Sequence, residues 1–284
     1  MVTNSRAVRR LACLPAVMLA TPVLASPGTD AIHFAPHRAV YDLSLKEASD
    51  RSGIEAMTGR IVYELSGNEC DGVSIRYRFV TNITTSEEAY QTDQQTTTFE
   101  SPNGLEFNFL TKSFVDKQLE STVKGTATRT KDGVKVVLSD PQRRDLELPP
   151  AIFISTHLID IIGAAKDGEQ LLKRDVFDGS DEADEVVAST TFIGEGKVVS
   201  EPLEGENAES VAMLEGQKTW PVTISYFEKG VGNAAESLPI YEASFLLYDN
   251  GISRKLTMRY PDYALTGDLT SLEMLKKVPC DSAQ

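Results

Sequence analysis

The chain is short of the residues that usually carry chemistry: three cysteines, three histidines and one tryptophan in 284 residues. So few cysteines exclude a zinc knuckle or a disulfide-dense scaffold. Basic charge is scarce too, at 28 Lys and Arg against 42 Asp and Glu. Such a surface repels phosphate backbones and anionic headgroups, so nucleic acid is not an expected partner, and the bland role of the acidity is solubility. Long apolar runs are missing beyond the start of the chain. The run at residues 11–24, about 14 residues, is shorter than the roughly 20 a membrane helix needs.

That first run has another use. Arg6, Arg9 and Arg10 form a basic head without acidic residues, and Val23-Leu24-Ala25 offers a small-residue cleavage site before Ser26. Residues 1–25 therefore read as a secretory signal peptide and residues 26–284 as one exported domain, soluble and periplasmic. Cys13 sits at the start of the apolar run, where a lipoprotein would place it at the end. The three lost arginines leave a net charge near −17 on the exported part. Cys70 and Cys280 remain, and a pair of cysteines in an exported chain is most simply a disulfide. They lack the Cys-x-x-Cys spacing of a redox thiol, so a structural bond is expected.

Alternation of period two dominates the rest. Val73, Ile75, Tyr77 and Phe79 share one face; Leu105, Phe107 and Phe109 another; Val222, Ile224 and Tyr226 a third. Tyr241, Ala243, Phe245 and Leu247 repeat the pattern, as do Leu256, Met258 and Tyr260, and residues 92–99 are rich in threonine. These are half-buried antiparallel strands. Turn signals separate them at Gly67-Asn68, Asp71-Gly72, Asn103-Gly104, Asp132-Gly133 and Thr266-Gly267-Asp268, and Asn250-Gly251 fits a type I′ hairpin. The expected class is mainly β, a curled sheet or barrel. One segment differs: after Pro149-Pro150, residues 155–166 carry a broad apolar stripe at helical spacing, with Ser155 as N-cap. In a β protein such a helix plugs the end of the sheet. Residues 201–217, rich in Glu and Gly, read as a mobile surface loop.

Candidate chemistry is sparse. His33 and His37 are four apart, but Pro36 between them argues against a helical ligand pair. His157 falls in the first helical turn, where packing or capping is the ordinary role. Gly-x-Ser-x-Gly, Ser-x-x-Lys, phosphate-loop and zinc-protease motifs do not occur. Asp178-Gly179-Ser180-Asp181-Glu182-Ala183-Asp184-Glu185 is acidic, yet its spacing fails the EF-hand template, leaving a solvated turn. Trp220, beside Pro221, opens a strand and reads as core. No catalytic, metal or cofactor residue is assigned.

Several ordered blocks then carry a resemblance. Ala35-Pro36-His37-Arg38-Ala39-Val40-Tyr41 opens the exported part, followed by Gly59-Arg60-Ile61-Val62-Tyr63-Glu64 and Cys70-Asp71-Gly72. Leu148-Pro149-Pro150 leads to Thr156-His157; then come Val176-Phe177-Asp178-Gly179-Ser180, Trp220-Pro221-Val222, Leu247-Tyr248-Asp249-Asn250-Gly251 and Pro279-Cys280. Together they resemble the EipB-type cell-envelope integrity proteins of alphaproteobacteria over nearly the whole exported chain. The acidic run at residues 181–185 departs from that pattern. The resemblance implies a β-spiral, an antiparallel sheet rolled into an open barrel around a core helix near residues 155–166. It implies a Cys70–Cys280 disulfide, no established enzymatic activity and no cofactor. It also implies a role in envelope integrity and stress resistance through protein contacts, with a periplasmic tetratricopeptide-repeat protein as partner. The alternative is a carrier of an apolar ligand, a lipid or acyl chain held within the curl. A hydrolase acting on glycans would need His157 or carboxylates converging in a cleft.

Overall fold

Period-two patterning builds one sheet. The computed structural model describes residues 32–180, 182–199, 201–229 and 238–280; the expected signal peptide lies outside them. An unbroken meander comes first: β1 (His37–Ala48), β2 (Ile54–Asn68), β3 (Gly72–Thr85), β4 (Ala89–Glu100), β5 (Glu106–Val115), β6 (Gln118–Arg129), β7 (Val134–Asp140) and β8 (Arg144–Leu148). Helix α1 (Ile154–Asp167) follows, then β9 (Leu171–Val176), β10 (Val187–Ile193), β11 (Lys197–Val198), α2 (Ala208–Ala212), β12 (Lys218–Phe227), β13 (Tyr241–Tyr248), β14 (Ser253–Arg259) and β15 (Tyr263–Met274). Strand β15 returns to pair with β1, so a 15-stranded sheet runs from β8 through β1 and β15 to β9, with β11 attached to β12. All strand pairs are antiparallel.

The sheet curls but does not close, for β8 and β9 are its two ends. A single residue tacks the seam: Ile152, between β8 and α1, donates its N–H to Asp175 O (2.9 Å) and accepts from Phe177 N (2.9 Å). Arg144 of β8 also reaches Glu182 and Asp184 beyond β9. The curl follows from the right-handed twist that strands accumulate. The inner face is apolar where helix or seam covers it, as in β7, where Val134, Val136 and Leu138 are buried while Lys135 and Val137 face out.

Helix α1 lies where the stripe places it, with Ile161, Ile162, Ala164 and Ala165 packed on Leu172, Trp220, Val222 and Leu247. Its N-terminus corrects the sequence reading. Ser155 lies inside the helix; the flanking residue is Phe153, whose side chain makes no cap. The cap comes instead from a strand distant in sequence, where the Glu100 carboxylate of β4 accepts from Ser155 N (2.8 Å) and Thr156 N (3.1 Å). A carboxylate there meets both the unpaired N–H groups and the positive end of the helix. Phe153 is free to stack on Phe107, centroids 5.0 Å apart.

Three local expectations also change. Thr266-Gly267-Asp268 is no turn but mid-strand in β15, and a Cβ on Gly267 would meet Leu43 Cδ2 at 2.9 Å and Leu256 Cβ at 3.2 Å. Glycine is there for space. The β13–β14 hairpin does turn at Asn250-Gly251, but only Gly251 has positive φ (86°), so the turn is not type I′. Gly251 N donates to Tyr248 O (3.0 Å), and Tyr248 N to Ile252 O (2.9 Å).

Residues 201–217 are not a loose loop. Asn207 Oδ1 caps α2 through Ser210 N (2.9 Å), Val211 and Leu214 are buried, and Ser210 Oγ accepts from Leu272 N of β15 (3.0 Å). Beneath the segment lies Arg254 of β14, fully buried, with Nη2 donating to Glu201 O (2.8 Å) and Nε 3.5 Å from Glu206 Oε1, whose side chain is buried as well. A buried guanidinium needs an anionic partner. The acidic composition that suggested solvent thus hides one essential carboxylate.

Cys70, on the β2–β3 turn, is bonded to Cys280 in the tail after β15, with Cα atoms 5.7 Å apart. Asn68 prepares that turn: its Oδ1 accepts from Cys70 N (2.8 Å) and Asp71 N (2.7 Å), and its Nδ2 donates to Val278 O (3.3 Å).

Candidate functional site

Cross-strand partners share a sheet face, so the register reads out the inner wall row by row. One row runs Tyr63, Tyr77, Thr96, Thr111, Val123 across β2 to β6; its neighbour runs Ile61, Phe79, Gln94, Ser113, Ser121. The wall therefore changes from aromatic to hydroxyl and amide within three strands. Thr96 and Thr111 join their hydroxyls at 3.1 Å.

Opposite stands a belt of tyrosines. Tyr226 and Tyr241 stack at 5.8 Å, Tyr241 and Tyr260 approach to 4.9 Å, and Tyr260 and Tyr263 stack at 4.7 Å. A cavity of about 170 Å³ is walled by Tyr77 of β3 and Tyr241 of β13 together, with Tyr41, Tyr63, Leu256 and Met258. Strands β3 and β13 lie five places apart in the sheet. Only a rolled sheet brings them to one space. A larger, open concavity of about 900 Å³ is lined by Gln94, Thr111, Ser113 and Ser121, with Glu120, Asp140, Arg144 and Glu182 at its rim. Along the inner wall Tyr77 of the first space partners Thr96, whose hydroxyl bonds Thr111 of the second.

The phenols are neutral donors. Burial pushes the Tyr41 hydroxyl up to about 12, and it donates to Ser253 O at 2.6 Å. Burial likewise lifts Tyr63, Tyr77, Tyr226, Tyr241 and Tyr260 far above physiological pH. No protein group within the described residues bonds the hydroxyls of these five, and none of them belongs to the fully sequestered unpaired atoms. Of these five, Tyr63, Tyr77 and Tyr241 line the cavity of about 170 Å³. The sequence showed Tyr77, Tyr226, Tyr241 and Tyr260 as inward strand positions; their convergence depends on strand order, which periodicity does not encode.

The residues considered for chemistry sit elsewhere. His157 is buried, with Nε2 3.2 Å from Ser189 Oγ. Ser189 donates its own proton to Arg174 O (3.0 Å), so the imidazole donates to the serine rather than accepting from it. That polarity is wrong for activating a nucleophile. Burial, opposed by Asp160 and assisted by Arg174, holds His157 down to about 4. The ring is neutral when folded, while its unfolded value lies near 6.5. As pH falls from about 6.5 toward 4, the unfolded chain binds a proton the native chain refuses, and roughly 3 kcal/mol of stability is lost. His157→Gln is expected to flatten that limb of a chemical-denaturation profile; a variant curve parallel to the parent's would contradict the assignment.

Glu100 is engaged in capping α1, and burial raises its carboxyl above the usual range against the opposing hydrogen bonds from Thr156 and Ser155. His33 pairs with Glu69 at 3.3 Å, whereas His37 is buried, with Nδ1 donating to Ala35 O (2.7 Å), so the two histidines have separate partners. Asp178 Oδ1 accepts from Ser180 N (2.9 Å), closing the acidic turn on itself; Asp181 lies outside the described residues. Trp220 is buried under Lys218, 5.1 Å above its ring, and offers no sugar platform. Among the described residues, no helix is long and apolar enough to cross a membrane.

The outer face is mostly an ion-pair lattice: Arg38 and Arg76 flank Glu64 (2.6 and 3.1 Å), Arg60 meets Asp42 (2.7 Å), and Arg78 grips Asp93 (2.8 Å). At the β9 end it changes. Phe192 is 56% exposed and Leu171, its cross-strand partner, 49%.

An open antiparallel roll with a hollow, phenol- and hydroxyl-lined interior defines a β-barrel-like protein with a lumenal pocket. The chain belongs to the EipB-like family, which matches residues 29–276. It is 40% identical over 252 residues, 88% of each chain, to the cell envelope integrity protein EipB of Brucella abortus (strain 2308). A crystal structure of a β-barrel-like protein of a domain of unknown function from Brucella abortus matches with a TM-score of 0.80. It is 39% identical, and the match covers 87% of this chain and 100% of that one.

Proposed function

We propose that residues 26–284 form one exported domain, freed of a signal peptide at residues 1–25, that works in the periplasm without catalysis. It supports cell-envelope integrity and resistance to envelope stress by contacting other proteins, a tetratricopeptide-repeat protein among them. The relative named for envelope integrity supports the role, and a disulfide suits an oxidising compartment. His157, hydrogen-bonded with the wrong polarity for a base, supports a non-catalytic reading.

The observation that carries protein contact is the Phe192–Leu171 pair. Large apolar side chains paired across strands on an outward face are the usual anchor of a protein interface. The test is complementation of a strain lacking the protein, challenged with detergent. A Phe192→Ser/Leu171→Ser variant is expected to accumulate normally and keep its melting temperature, yet leave cells nearly as sensitive as the deletion. Full restoration of resistance would overturn contact through this face. A lipid or acyl-chain cargo finds less support, because the interior presents unpaired hydroxyl and amide groups that an alkyl chain would leave unsatisfied.

A further inference from the structure

We propose that the lumen is a binding site for a neutral oligosaccharide, held by its hydroxyl and amide groups against the Gln94–Ser113–Ser121 row and the aromatic wall of Tyr77 and Phe79 beside it in the strand register. Three independent observations converge on it. The first is unmet hydrogen-bonding capacity. Gln94, Ser113 and Ser121 line the concavity of about 900 Å³, and within the described residues none of their side chains bonds another protein group. Tyr63, Tyr77 and Tyr241 line the cavity of about 170 Å³, and no group among the described residues bonds their hydroxyls. Donors and acceptors set on rigid strands and left free of internal partners are the makings of a polar ligand site.

The second is charge. Arg174, on the inner face beside α1, is neutralised by Asp160 at 2.5 Å. The rim has Glu120, Asp140 and Glu182 against Arg144 alone, and Arg144 already faces Glu182 and Asp184. An anionic ligand would be repelled at the entrance. A neutral one would not.

The third is size and texture. A space of about 900 Å³ is at the upper end of the roughly 300–1,000 Å³ typical of small-ligand sites. Phe79 is the cross-strand partner of Gln94 and Tyr77 that of Thr96, so aromatic rings stand beside the polar row, which suits a sugar ring with its apolar C–H face and polar edge. An acyl chain would match the rings and strand the hydroxyls. An extended peptide would seek a sheet edge for its backbone, and the inner wall offers none, since its strands are already paired on both sides.

This site does not depend on the outer-face contacts argued above. The test is isothermal titration of the full exported chain with chitotriose, maltotriose, palmitate and a neutral tripeptide. Saturable binding of at least one trisaccharide is expected; preference for chitotriose would assign Gln94 to an acetamido group. Gln94→Leu is expected to weaken that binding about tenfold or more, since a site built to hydrogen-bond a group loses most when the bond cannot form. Ser113→Ala, which removes only the hydroxyl, provides a second variant should Gln94→Leu perturb folding. The inference is overturned if neither trisaccharide binds at millimolar concentration, if palmitate or the tripeptide saturates in their place, or if both variants bind sugar as the parent does.

Discussion

Cys70→Ser is expected to melt roughly 10–20 °C below the parent protein, with reductant producing the same drop in the parent and none in the variant. The bond closes a segment of 210 residues. In the chain-entropy account, a loop of that length restricts the unfolded ensemble by about 5 kcal/mol. For a chain of this size each kcal/mol moves the midpoint by roughly 2–4 °C. Locally little should change, because Asn68 still holds the turn and still donates to Val278 O. The loss is therefore one of connection between the tail and the β2–β3 turn. Calorimetry with and without reductant reads it directly, and a midpoint that moves by only a degree or two would contradict it.

The second large effect comes from Glu206. Glu206→Leu is expected to lower stability by about 3–5 kcal/mol, because it leaves the buried Arg254 guanidinium with the Glu201 carbonyl as its hydrogen-bond acceptor. The midpoint should fall by roughly 6–20 °C, and residues 201–217 should become open to limited proteolysis. Replacing both partners, Glu206→Leu with Arg254→Met, should recover most of the loss, since removing two buried charges together costs far less than stranding one. A single variant as stable as the parent, or a double variant worse than the single, would show that the pair does not hold the segment down.

How far the chain could be read depends on the range of the interaction. Strands β3, β12, β13 and β14 were visible as alternation, because side chains on successive residues must face opposite sides whatever the strand pairs with. The stripe of α1 was visible for the same local reason. Three of the failures are non-local. Ser155 carried the chemistry of an N-cap, but Glu100 reached the helix from a strand 55 residues earlier. Gly267 carried the mark of a turn, but Leu43 and Leu256 needed its missing side chain. The acidic composition of residues 201–217 spoke of solvent until Arg254 arrived from β14.

The interior followed the same division. Tyr77 and Tyr241 could each be placed on an inward face from their neighbours alone, and Gln94 fell in the threonine-rich stretch. What no stretch of chain contained was their meeting. Alternation, turn residues and a broad helical stripe were enough to establish a rolled antiparallel protein with one internal helix, because those signals act over a few residues. The pairing of β15 with β1, the tacking of the seam at Ile152 and the convergence of phenols and hydroxyls on one space were decided by the accumulated twist of the whole sheet. Twist sums over many strands, and that sum is a property of the assembled sheet.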